Sequence, residues 1–236
     1  MKNRGVLSKY FYQLFKIKIK TRWPALLEMS RIQDEFHRIT MVHLESKFMS
    51  KLDEYTPGLL KLFHSKGGTM GLKLKAVLIQ TPSNPNINIT REVVIRCLMV
   101  YLGERTDQLL KEYDDADSAS QDLAVQGMAI YSIKTNASEG SHDIGIVVEG
   151  IRVLTSQATI PRACCMLIGI EYAVNLAYPK QLNYTFEAFQ KLFLELDSSK
   201  LSPYLNSLKN KLLASEQWLC LHQKWHMVTF GVLLHD

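Results

Sequence analysis

The sequence predicts a mainly helical α+β protein. An N-terminal helical part precedes a small antiparallel sheet or hairpin, and a C-terminal set of three helices follows. Three observations predict it. Apolar residues recur at helical spacing through the first half, as in Met29, Ile32, Phe36 and Ile39. Between Ala124 and Leu154 the pattern becomes strand-like, with MAIYSIK and the alternating Ile144, Ile146 and Val148. Beyond Pro161 three apolar segments are punctuated by Pro179 and by Asp197-Ser198-Ser199.

Residues 1–23 form a basic arm. Apolar Phe15, Ile17, Ile19 and Trp23 alternate with Lys16, Lys18, Lys20 and Arg22, a period of two that predicts a strand with four cations on one face. Residues 24–113 form the helical part. Pro24 suits a helix start, and a long helix, or two in series with a phase break near Thr40, runs to about Glu54. Pro57-Gly58 reads as a turn, followed by short helices over Leu59–His64 and Gly71–Gln80. Thr90 caps a core helix from Arg91 to Leu102, and a further helix covers Glu104–Tyr113. Residues 114–122, DDADSASQD, read as an acidic linker and the best boundary in the chain. Residues 123–214 hold the small sheet and its helices. There Glu149-Gly150 turns one strand into Ile151–Leu154. A buried helix then runs from Pro161 to about Tyr178, and Phe186, Phe189, Phe193 and Leu196 line one face of the next. Ser202 and Pro203 open a last helix with Leu205, Leu208 and Leu212 inward. Residues 215–236 are an atypical tail: Trp218–Asp236 has no caps and no clear period, as an added exon or a gene-model artefact would look.

The chain has 236 residues, 47% hydrophobic and 22% charged, an ordinary composition for a globular protein with a core. The first 24 residues hold seven of the 28 Lys and Arg and none of the 23 acids, so the rest of the chain is slightly acidic. Four cysteines without a dense framework point to a reducing compartment. No secretory signal is visible, because the basic N-terminus lacks an apolar run. A mitochondrial presequence is a lesser reading of the acid-free segment. The longest apolar stretch, Ala163–Tyr178, is short of the roughly 20 residues a membrane span needs and carries Glu171 and Asn175, so no membrane association is expected. The expected location is cytoplasmic or nuclear, and the Asn-X-Ser/Thr triplets at Asn88, Asn136 and Asn183 carry no weight there.

Sites of chemistry are sparse. Gly67-Gly68-Thr69-Met70-Gly71-Leu72-Lys73 lacks the phosphate-loop spacing, since Leu72 separates Gly71 from Lys73 and a helix precedes it, so it reads as a helix-breaking turn. Cys220, His222 and His226 lack a partner CxxC, and Gln223 stands where a zinc-protease helix needs glutamate. Asp114, Asp115 and Asp117 lack the calcium-loop spacing. Cys164 and Cys165 sit in an apolar helix, where thiols act as inert small hydrophobes. Glu171 on the same helix must be paired or neutral, unless it is turned to solvent; such a carboxylate is sometimes functional, and it is the residue to check first if the chain is an enzyme of unrecognised type. No catalytic, cofactor or metal residue emerges, and the reading leans away from an enzyme.

The phrases RIQDEFHRIT (Arg31–Thr40), Lys47–Gly68 and Ala177–Pro203 resemble a vertebrate family labelled sterile alpha motif domain-containing protein 3-like. Arg96–Glu104 and Val147–Thr155 fit the same pattern, so the resemblance covers roughly Trp23 to Ala214. It implies the region downstream of a small five-helix interaction module, and it supplies no catalytic residue. The tail Trp218–Asp236 departs from the pattern.

The leading functional expectation is a non-enzymatic interaction or scaffold protein with a protein partner. The alternative is nucleic-acid or anionic-surface binding through Lys16, Lys18, Lys20 and Arg22, with Tyr10, Phe11, Tyr12 and Trp23 nearby for stacking. No cofactor is expected.

Overall fold

The computed structural model describes residues 28–135 and 142–214. Within them the protein is α+β and mainly helical, as expected. The basic strand at Phe15–Trp23 and the tail at Trp218–Asp236 lie outside the described residues.

Helices α1 (Met29–Thr40) and α2 (Leu44–Ser65) are the two helices in series. The phase break is Met41, left-handed at φ 60°, whose N–H returns to the His37 carbonyl. Pro57-Gly58 is not a turn: α2 runs through it. Proline removes one backbone hydrogen bond and costs about 3 kcal/mol in a helix interior. Here Leu44, Phe48, Leu52, Tyr55, Leu59 and Phe63 form one unbroken buried stripe across the proline, and their burial outweighs that cost. The separate helix expected at Leu59–His64 is the end of α2.

Helix α3 (Gly68–Ile79) starts earlier than expected, and the break is confined to Lys66-Gly67. The corner is tight: a Cβ on Gly71 would lie 2.1 Å from the Lys66 carbonyl oxygen, so this position requires glycine. Helix α4 (Ile87–Tyr101) is capped by Asn86 rather than Thr90, the Asn86 carboxamide accepting from the Ile89 N–H at 3.0 Å.

The helix expected over Glu104–Tyr113 is instead a short 3-10 turn (Thr106–Gln108) and strand β1 (Leu110–Tyr113). The acidic stretch 114–122 is not an open linker either. It leads into and largely forms helix α5 (Ala116–Leu123), capped by Asp115, whose side chain accepts from the Ser118 N–H. The segment is a crossover, because β1 pairs in parallel with β2 (Met128–Lys134) and parallel neighbours need such a connection. The sheet is therefore mixed, not purely antiparallel. Strands β3 (His142–Val148) and β4 (Ile151–Gln157) complete the order β1-β2-β3-β4, with the hairpin at Glu149-Gly150 as expected. Both turn residues have positive φ, 52° and 70°, the backbone of a tight hairpin.

The sheet sorts its side chains by face. Ala129, Tyr131, Ile133 and Val147 pack under α5 with Ala119 and Leu123. Met128, Ile130, Ile146 and Val148 face the main core. Helix α6 (Ile160–Val174) lies against that inner face and is buried nearly all round, from Ile160 through Glu171. Thr159 caps it, accepting from the Arg162 N–H, and left-handed Asn175 ends it short of the expected Tyr178, the Asn175 and Leu176 N–H groups closing back on the last turn. Helices α1, α2 and α4 pack on α6, and α3 packs on α2 and α4 at the outside.

The phenylalanine helix begins as α7 (Asn183–Ala188) and widens into a π turn over Phe189–Phe193. Phe189 and Phe193 meet Phe48 of α2 edge to face at 5.4 and 5.3 Å. Residues 203–214 are helical, with Leu205, Leu208 and Leu212 buried and the Ser202 hydroxyl at the start, as expected. One hydrophobic cluster joins side chains from before and after residues 114–122.

Candidate functional site

The cationic set Lys16, Lys18, Lys20 and Arg22 lies outside the described residues, as do Cys220, His222 and His226. The other sequence candidates can be placed. Cys97, Cys164 and Cys165 are buried free thiols. Burial pushes the Cys97 thiol up to about 12 and raises the other two well above the ordinary thiol range, which keeps them protonated and poorly nucleophilic. Glu171 is buried in the last turn of α6, and among the described residues its carboxyl has no hydrogen-bond or ion-pair partner. Burial pushes it up to about 8. It is buried and has no pair among the described residues, so of the sequence readings the neutral carboxyl fits and the structural pair does not. Asp114 and Asp115 are spoken for, by Lys134 and by the α5 cap. No cluster of three or more His, Cys, Asp or Glu side chains suited to a metal ion occurs among the described residues.

Among the described residues two clefts flank the core. One, of about 530 Å³, opens between α4, β1, β2, β3 and the start of α6. Its charges answer one another: Arg96 bridges Glu92 at 2.9 Å and Glu112 at 2.5 Å, and Lys134 meets Asp114. Burial works against the Arg96 charge, but the two glutamates hold it on. The Ser132 hydroxyl lies 3.0 Å from His142 Nδ1, the distance of a nucleophile and its base. Among the described residues no carboxylate hydrogen-bonds the other side of that ring, so nothing orients it as a triad does. The second cleft, of about 640 Å³, lies at the α1–α2 corner. There His37 and His43 stack at 4.4 Å, and Glu45 accepts from Gln33 and pairs with Arg162.

A third feature is apolar and exposed. Helix α3 buries only Leu74 fully, leaving Leu72 71% and Ile79 70% exposed. At 3.6 residues per turn, Leu72, Ala76 and Ile79 share the face opposite Leu74. Lys73 flanks that stripe on one side and Lys75 on the other. No acid occurs between Glu54 and Glu92, whereas Lys61, Lys66, Lys73, Lys75 and Arg91 do. Elsewhere Ile39 and Met41 at the end of α1, Ile87 at the start of α4, Val125 after α5 and Leu213 in the last helix are exposed too, at or beside helix ends and without an aligned stripe. Sequence reasoning did not single out this face. The acid-free run was a visible signal, but exposure of an apolar helix was not.

No helix among the described residues is long and apolar enough to cross a membrane. Comparison with protein-family models, curated proteins and solved structures gives no match.

Proposed function

We propose that this chain is an interaction protein that holds a protein partner and performs no chemistry of its own. The exposed Leu72–Ala76–Ile79 stripe carries the reading. Two large aliphatic side chains aligned on one helix face gain free energy only when something covers them. The resemblance to the sterile alpha motif domain-containing protein 3-like family points the same way. The two polar clefts support it from the other side, because their charges are largely satisfied by one another and offer few groups to a substrate.

Photocrosslinking tests the proposal. A photoreactive amino acid replaces Ala76 in the intact chain, and the protein is irradiated in cells. The expected product is a discrete adduct with another protein, lost when Leu72→Glu and Ile79→Glu are added. No adduct, an adduct within the same chain, or one that is lipid-extractable or nuclease-sensitive overturns the reading.

A further inference from the structure

We infer that the α3 face docks an acidic amphipathic helix of the partner protein, an inference that rests on the interaction reading above. The apolar stripe has the i, i+4, i+7 spacing that one helix presents to another. Its centre is Ala76, small enough for a partner backbone to approach closely. Leu72 and Ile79 stand at either end as anchors. The stripe from Leu72 to Ile79 covers about two turns of α3, so a partner helix of about three turns spans it with its flanks.

The charges select the partner's chemistry. Lys73 and Lys75 stand on opposite flanks of the stripe, and both are exposed. Lys66, at the corner where α3 begins, is turned instead over the Tyr101 ring, its ammonium 5.2 Å from the centroid. With no acid in sequence from Tyr55 to Arg91, this segment supplies no counter-charge of its own. A partner helix with Asp or Glu on both sides of an apolar ridge meets a lysine along each edge. Rim charges of this kind steer association and reject basic competitors. A lipid surface fits less well, since surface-binding helices carry a broad apolar face with bulky aromatic side chains, and α3 exposes two large aliphatics and no aromatic. A nucleic-acid backbone would meet the lysines but leave Leu72 and Ile79 uncovered.

The test uses the full chain and a fluorescent designed peptide about three turns long, with leucines at i, i+3, i+4 and i+7 and glutamates elsewhere. Controls are the same peptide with lysine for glutamate, an acidic scrambled peptide, phosphatidylserine vesicles and a duplex DNA. Anisotropy should show the acidic amphipathic peptide binding, weakened by salt, with the lysine and scrambled peptides at least about tenfold weaker. Leu72→Glu with Ile79→Glu should weaken it at least about tenfold. So should Lys73→Glu with Lys75→Glu, and both pairs of positions are exposed, so folding is retained and checked by circular dichroism. Equal binding of acidic and lysine peptides, or tighter binding to vesicles or DNA, overturns the inference. If the peptide fails while the Leu72-dependent protein adduct at position 76 persists, the partner's chemistry is wrong and the interaction reading stands. If both fail, both fall.

Discussion

Replacing Glu171 by glutamine should stabilise the protein, and by an amount that depends on pH. In the folded state burial holds this carboxyl up to about 8, against 4.5 for the ordinary group. The sign follows from which state binds the proton. Below pH 4.5 both folded and unfolded chains carry it, and burial costs nothing electrostatic. As pH rises from 4.5 towards 8 the unfolded chain releases the proton and the folded chain keeps it, so stability falls. The slope is about 1.36 kcal/mol per pH unit, which accumulates to about 3 kcal/mol at neutral pH. Above pH 8 the folded carboxyl ionises as well, and the loss levels off. The carboxamide of the Glu171→Gln variant has no proton to hold, so its advantage over the wild type should grow by about 3 kcal/mol from acid to neutral pH, or roughly 6–12 °C in Tm for a chain of this size. Urea unfolding of both proteins at half-unit steps of pH measures the difference directly. A constant offset between them, or one that shrinks as pH rises, would refute the reasoning and show a carboxylate that is already ionised in the fold.

Four further outcomes are expected. Gly71→Ala should cost about 1–3 kcal/mol in thermal unfolding because its Cβ meets the Lys66 carbonyl oxygen, whereas Gly67→Ala, with open space around it, should change stability by less than about 1 kcal/mol. Glu104→Gln should cost about 1–2 kcal/mol and speed amide exchange at Tyr184 and Thr185, since the Glu104 carboxylate accepts both N–H groups at 2.7 and 2.9 Å. In a Cys220→Ser background a thiol reagent at neutral pH should label none of Cys97, Cys164 or Cys165 in the native protein, and rapid labelling would contradict their burial. Far-UV and near-UV circular dichroism should report one coincident unfolding transition, because the core cluster joins the parts before and after residues 114–122; two separated transitions would mean independent domains.

Most elements were legible wherever sequence pattern and tertiary context agree. The hairpin at Glu149-Gly150, the cap at Ser202 and the buried helix after Thr159 each carry a local signal that the fold keeps. The misses share a physical cause. Pro57 is a strong local breaker, yet the buried stripe from Leu44 to Phe63 keeps its phase across it, and that continuity was readable in the sequence. The acidic run at 114–122 reads as a linker by its charge, but Ala119 within it packs with Leu123, Ala129 and Tyr131 in a small apolar layer that folds it onto the sheet. Leu110–Tyr113 reads as the end of a helix, and what makes it a strand, its parallel pairing with Leu110↔Ile130 register, is a long-range fact that so short a span does not carry.

The candidate site was less legible, for a reason that separates the α3 face from the clefts. A titratable group announces itself in a sequence, so Glu171, Cys164 and Cys165 stand out, and the fold then buries all three. Arg96, Glu92 and Glu112 lie on two elements, and only the fold shows that they neutralise one another. An aliphatic residue carries no such mark. Leu72 and Ile79 look in sequence like Leu59 and Phe63, core residues of a neighbouring helix. The difference is that, among the described residues, α3 packs chiefly on α2 and α4, which take its Leu74 face. A helix apolar on two opposite faces, with one face used internally, leaves the other for something outside these elements, and the lysines at 73 and 75 say what charge that something should bear.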